Sequence, residues 1–186
     1  MELTLIRHLP TEWNVKGVLQ GIRDIPILEI SNANKEVIEK NKQQLKKQYS
    51  LILTSALTRT QQTAKAYGYR HYEVEPLLNE LHFGEFEGKE KKYLIESHKN
   101  TWYTNPSEIV LGEKFSDLES RMLAFLEKYK EYESILVFGH GSWIRACLSY
   151  HRFGNINKMN QLNIKNNQLL TIEAREEELE IGRNHL

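Results

Sequence analysis

The sequence predicts an α/β fold: a three-layer sandwich in which a mostly parallel central sheet carries helices on both faces. Short apolar runs alternate along the chain with polar stretches of helical spacing, the pattern of strands joined by crossover helices. No internal repeat and no low-complexity segment interrupts that alternation. At 186 residues the chain can bury a substantial core without disulfide or metal staples, and one domain over 1–186 is the default for this length.

The first strand is ELTLI, which runs into Arg7 and His8 before Pro10 breaks the pattern and Thr11 starts a new element. Residues 32–48, NANKEVIEKNKQQLKKQ, are rich in helix formers and set Val37, Ile38 and Leu45 at roughly helical spacing. SLILTSA is a second apolar strand, and LTRTQQTAKAYG is the following helix, closed by Gly68. HYEVEP alternates and predicts a short strand ended by Pro76. LHFGEFEG is a glycine-punctuated loop, and 89–112 is polar and interrupted by Pro106, so it predicts a weak helix plus loop. EKFSDLESRMLAFLEKYKEY places Phe115, Leu118, Met122, Phe125 and Leu126 on one face of an amphipathic helix. SILVFGHG is the most apolar strand, SWIRACLSYH the helix after it, and NQLLTIEAREEELEIG predicts two strands joined by a charged turn.

Composition narrows the partners. The 25 basic and 25 acidic residues balance, so no global field favours nucleic acid or an anionic membrane, and any anion site must be local. Cys147 is the only cysteine, which excludes an intrachain disulfide, gives no support to a cysteine-rich metal site and fits a reducing compartment. The first residues lack a basic n-region, and Arg7 and His8 interrupt their apolar stretch, unlike a secretory signal. No apolar run approaches the ~20 residues that span a bilayer. The expectation is a soluble, cytoplasmic protein whose oligomeric state the sequence does not set.

Three predicted strands end in residues of one chemical kind. The first runs into Arg7 and His8, the second into a turn with Arg59 one helical step beyond, the third into His140 and Gly141. Parallel strands bring such ends to one sheet edge, where ligands of α/β proteins sit. Two guanidiniums and two imidazoles there repel one another unless an anion lies among them, and guanidinium forks match phosphate oxygens. A single histidine at a strand end is commonly structural, and a single arginine there a surface ion-pair partner; the joint occurrence points to a phosphate site. A metal between the histidines would want carboxylates or cysteines rather than two arginines, so neither metal nor cofactor is expected. Glu80, in LLNELHFGEFEG, offers a carboxyl group in an apolar, glycine-bearing loop, with Glu85 and Glu87 as rivals.

At this point the chain resembles the histidine phosphatase superfamily, also called phosphoglycerate-mutase-like. RHLPTEWN is similar to the family's Arg-His-Gly-x-Thr signature and its extension, matching at Arg7, His8, Thr11, Glu12, Trp13 and Asn14. QGIRDIPIL, SALTRTQQTA, ELHFGEFEG, GEKFSDLESR and VFGHGSWIR resemble its further motifs in the right order across nearly the whole chain, and the final NHL resembles its ending. ELHFGEFEG selects Glu80 over its neighbours. Leu9 departs from the pattern, standing where the family has glycine, so strain and added bulk beside the phosphate are expected there. Pro10 stands where glutamate is common, and Lys114 where serine is.

The resemblance implies a metal-independent phosphatase acting on a small phosphomonoester. His8 would be the nucleophile, kept neutral by neighbouring cations and carrying a phosphohistidine. Arg7, Arg59 and His140 would hold the phosphoryl oxygens, and Glu80 would protonate the leaving alkoxide and then deprotonate water. Asn14, Gln20, Gly141 and His82 are the expected substrate contacts; His71, His151 and His185 are expected to be structural or on the surface. A cap over the pocket is expected at about 84–113, with Tyr93, His98, Trp102 and Tyr103 either stacking on substrate or packing the cap. Lys91, Lys92, Lys99 and Lys114 either attract an acidic substrate or form a solvated face. A phosphoglycerate-mutase-type phosphotransferase and a catalytically weakened phospho-ligand-binding module are the alternatives.

Overall fold

The strands β1 (Glu2–Arg7) and β4 (Ser134–Gly139) lie parallel and in contact at the heart of a five-stranded sheet, seen in a computed structural model that describes residues 1–174. On the far side of β4 come β2 (Leu51–Thr54) and the two-residue edge strand β3 (Glu73–Val74), both parallel to it. On the far side of β1 lies β5 (Leu169–Glu173), the one antiparallel member, giving the order β3–β2–β4–β1–β5. Six α-helices flank it among the described residues: α1 (Glu12–Val15), α2 (Asn32–Lys42), α3 (Thr58–Ala66), α4 (Lys91–Thr104), α5 (Phe115–Tyr129) and α6 (Gly141–Phe153). This is the α/β, mostly parallel fold that the sequence predicts.

Every residue of β4 is buried, because helices cover both sheet faces and leave neither to water. Alternate side chains feed the two cores. Leu3, Leu5, Ile135 and Val137 pack with Met122 and Phe125 of α5, Trp143 of α6 and Trp102 of α4. Ile6, Leu136 and Phe138 face the other way, toward Ile38 of α2 and Ala64 of α3. The helix α6 stops at Gly154, which takes the left-handed conformation (φ 72°) and donates its N–H to the Tyr150 carbonyl, a conformation most side chains resist.

The structure departs from the sequence pattern at specific places. The helix α2 ends at Lys42 rather than 48, because the polar tail that follows has only Leu45 to bury and packing, not propensity, holds a short helix. The 89–112 stretch is more helical than its composition indicates: Leu94 and Trp102 anchor α4 in the core, although Lys99 (φ 48°, ψ −125°) breaks its regular winding. The short α1 follows from Thr11 and Asn14, which bond each other's backbone N–H in a capping box. Of the two strands predicted over 167–182, the first is β5; the second, like His185, lies outside the described residues. Among the described residues no helix is long and apolar enough to cross a membrane.

Candidate active site

The register of β1 on β4 sets Arg7 opposite Gly139, so the next residues out, His8 and His140, leave the same sheet edge side by side. The His8 N–H donates to the Gly139 carbonyl at 3.0 Å, and the two imidazole centroids are 5.4 Å apart with planes inclined by 59°. The strand β2 ends at that edge too; Ser55 follows it, and α3 begins three residues later with Arg59 in its first turn. Asp24 caps α3 by accepting from both the N–H and the hydroxyl of Thr58 at 2.8 Å. Arg59 is buried and donates to the carbonyls of Arg23 (2.8 Å) and Gly21 (2.7 Å), which fixes its guanidinium over the edge.

Glu80 closes the circle. Its Oε2 accepts from the Ser142 N–H at 3.0 Å, and its Oε1 from those of Leu81 (2.9 Å) and Trp143 (3.3 Å), so the carboxylate sits at the N-terminus of α6. Arg121 anchors the loop that carries it, donating to the carbonyls of Leu77, Asn79 and Glu80 and pairing with Glu113. The rival carboxylates do other things. Glu87 is buried and accepts from the N–H groups of Ile22 and Phe83, whereas Glu85 is exposed beside Lys89.

A cavity of about 250 Å³ opens between these groups, lined by Arg7, His8, Arg59, Glu80 and Gly141. Asn14 and Gln20 line it as well, and the Thr11 hydroxyl holds Gln20 by donating to its Oε1 at 2.8 Å. His140 is fully buried against His8, behind the lining residues rather than among them. His82, an expected substrate contact, is not among the lining residues: its ring packs against Gly112 and approaches Glu87 at 3.8 Å. Leu9 also differs from expectation. It has no positive φ, its N–H donates to the Thr63 hydroxyl, and its side chain is buried in the core with Ile6 and Ile38, so it neither strains the backbone nor fills the cavity.

The cavity holds cations beyond the expected pair. Arg145, one turn into α6, lines it, and so does Lys91, whose ammonium lies 5.8 Å from the Trp102 ring centroid although the residue keeps an exposed surface. Arg145 stands in the VFGHGSWIR motif, one helical turn beyond Gly141, and that position is the signal that could have found it. Lys91 was one lysine among four in a polar stretch. Asn163, another lining residue, carried no signal at all.

Burial is the first cause of every shift in this cluster. It holds the His8 and His140 imidazoles well below the usual histidine range, helped by Arg59 in both cases and by Arg7. It lowers Arg7 to about 10, with Arg145 and Arg59 pushing the same way against Glu80. Arg59 also falls to about 10 despite its neighbours Glu80 and Asp24, and Lys91 falls to about 8 through burial, Arg145 and Arg7. Both histidines are therefore neutral, and the guanidiniums charged, near neutral pH. Arg7 Nε, Arg59 Nε and His140 Nδ1 are buried and have no partner among the described residues. Among those residues no group of three or more His, Cys, Asp or Glu side chains is disposed to hold a metal ion.

Fold and site together define an α/β protein with a cationic, histidine-lined cavity at the carboxyl edge of its parallel strands. A family model of the histidine phosphatase superfamily (branch 1) matches residues 3–184, and the chain belongs to that family. It is 30% identical to a protein of Hydrogenobacter thermophilus provisionally named phosphoserine phosphatase 2, over 78% of this chain and 76% of that one. It is 28% identical to a 2,3-bisphosphoglycerate-dependent phosphoglycerate mutase of Neisseria meningitidis, a match spanning 68% of this chain but only 62% of the mutase. The fold is shared with a phosphoserine phosphatase of Entamoeba histolytica solved with 3-phosphoglyceric acid (TM-score 0.76, 23% identity, 91% of this chain and 89% of that one).

Proposed function

We propose that this chain is a metal-independent phosphatase that hydrolyses a small phosphomonoester through a phosphohistidine on His8. The observation that carries the reading is the state of His8. Its Nδ1 lies 2.7 Å from the Leu9 carbonyl, an atom that can only accept, so Nδ1 bears the proton and Nε2 keeps its lone pair.

In the first step Nε2 attacks phosphorus, the ester P–O bond breaks, and Glu80, which must enter the step protonated in the substrate complex, gives that proton to the departing alkoxide. In the second, Glu80 takes a proton from water, the resulting hydroxide displaces His8 from phosphorus, and inorganic phosphate leaves with the imidazole neutral again. Arg7 and Arg59 offer their unpartnered Nε–H groups, and His140 its ring, to the equatorial oxygens, whose charge grows in the transition state. Asn14, Gln20 and Gly141 complete the walls, and α4 caps the cavity through Lys91 and Trp102. Arg145 and Lys91 exceed what a phosphate dianion needs, which favours a substrate with a second anionic group. That excess, with the mutase among the relatives, is the ground for the second reading, transfer of the phosphoryl group to another substrate. The inward packing of Leu9 speaks against a weakened binding module.

The test is a quench in single turnover with radiolabelled substrate. An acid-labile, base-stable phosphoprotein that decays to inorganic phosphate in water supports the phosphatase. A long-lived phosphoprotein discharged only by a second substrate supports the mutase, and no phosphoprotein refutes both.

A further inference from the structure

We infer that Ser55 is a positioning residue: its hydroxyl donates to Nε2 of His140 and thereby holds that ring in the tautomer whose Nδ1–H is free for a phosphoryl oxygen. The inference rests on the phosphatase reading for its purpose, but its geometry stands apart from any activity. The Ser55 Oγ lies 2.7 Å from His140 Nε2, and both side chains are fully buried. The other ring nitrogen, Nδ1, is buried and lacks any partner among the described residues.

A neutral imidazole has one N–H and one lone pair, so the partner of Nε2 decides what Nδ1 presents. Ser55 has one proton to give. Its oxygen already accepts from the Leu57 N–H at 3.1 Å, which shapes the turn into α3 and leaves the proton uncommitted. Two acceptors compete for that proton: His140 Nε2 at 2.7 Å and the Thr60 Oγ1 at 2.9 Å. The imidazole nitrogen is nearer and more basic. Thr60 has its own outlet, donating to the Leu57 carbonyl at 2.9 Å, and needs nothing from Ser55. The opposite tautomer would turn a buried lone pair toward the bound anion, where two acceptors would repel. Burial and the adjacent arginines keep His140 neutral, so the tautomer and not a second proton must supply the donor.

The decisive measurement is the two-bond ¹H–¹⁵N correlation spectrum of the imidazoles at neutral pH, with His140 assigned by its loss in His140→Gln. The wild-type protein should show a protonated Nδ1 and an unprotonated Nε2 at His140. A protonated Nε2 in the wild type overturns the inference, and this holds even if Ser55→Ala does not fold. Ser55→Ala should lose the single tautomer, whereas Thr60→Val, which keeps Ser55, should retain it; an unchanged tautomer in Ser55→Ala also overturns the inference. In turnover Ser55→Ala should lower kcat, by no more than the about 10²–10³-fold that outright loss of a transition-state donor costs, and Thr60→Val should lower it by less than Ser55→Ala does. If the wild type hydrolyses no phosphomonoester, the phosphatase reading fails while the tautomer result is still decided by the spectrum.

Discussion

The imidazole of His8 donates through Nδ1 to the carbonyl of its own neighbour, Leu9, at 2.7 Å. The contact is made within two residues of chain as β1 leaves the sheet, so the orientation of the proposed nucleophile is built into the end of the strand. The hydrogen bond raises the imidazole's basicity slightly, while burial and Arg59 lower it more, and the balance is a neutral ring.

A first prediction concerns this residue. His8→Ala should abolish phosphate release and the acid-labile phosphoprotein together, and leave the circular dichroism spectrum unchanged. Turnover near the wild-type rate would show that phosphorus is attacked by something else.

A second concerns cations. Arg7, Arg59 and Arg145 supply the positive field at the cavity. Dialysis against EDTA should therefore leave kcat/KM within about 2-fold of its starting value. A loss restored by a divalent ion would place a metal in the reaction.

Much of this site was legible because its residues sit where a parallel sheet must bring them. Arg7, His8 and His140 follow directly from strand ends, and the β1–β4 register then pairs the histidines without help from distant packing. Glu80 was harder, since a loop carboxylate has no periodicity to place it; sequence chemistry left it level with Glu85 and Glu87 until the family motif chose. The structure gives the physical reason, because Glu80 meets the N–H groups of Ser142 and Trp143 while Glu87 is occupied with Ile22 and Phe83. The place of His82 outside the lining was not legible, because two residues along an irregular loop say nothing about direction. Lys91 hid among exposed lysines, and only the anchoring of α4 by Leu94 and Trp102 turns it inward. The shortening of α2 and the brevity of β3 are of the same kind: tertiary burial decides, and local composition does not report it.

Leu9 tests one departure from the family pattern. Its side chain is 1% exposed among Ile6, Ile38 and Phe138. Leu9→Ala should cost about 2–5 kcal/mol in urea unfolding, the usual range for a buried leucine, and leave kcat within a few-fold. A faster enzyme of unchanged stability would mean that Leu9 obstructs the phosphate after all.

The lowered Lys91 pKa of about 8 gives a pH prediction. The ammonium is charged below that value and neutral above it, and kcat/KM reports the free enzyme. For a substrate with a second anionic group, kcat/KM should fall as pH rises through about 8. Lys91→Met should lower the plateau and remove that limb, and Lys91→Arg should move it to higher pH. An alkaline limb that persists in Lys91→Met would assign it to another group.

The role of Glu80 can be separated from its place in the structure by varying the leaving group. Alkoxides of sugars and simple alcohols leave poorly and need a proton as the P–O bond breaks, whereas nitrophenolate scarcely does. A positioned general acid contributes about 10²–10⁴-fold, and that help should matter mainly for the poor leaving group. Glu80→Gln keeps the size but cannot transfer the proton. It also loses one acceptor from a carboxylate that receives the N–H groups of Leu81, Ser142 and Trp143, so some disturbance of the α6 N-terminus is expected with any substrate. That disturbance is common to both substrates and cancels in their ratio. The comparison belongs to the phosphorylation step, read as a burst or in single turnover, because the later attack of water needs Glu80 whichever group has left. Phosphorylation by an alkyl phosphate should fall at least about 10²-fold further than phosphorylation by p-nitrophenyl phosphate. Equal damage to both would reduce Glu80 to a cap for α6. Another proton source would then be needed, and with Glu87 buried and occupied and Glu85 exposed beside Lys89, neither neighbouring carboxylate lines the cavity to provide it.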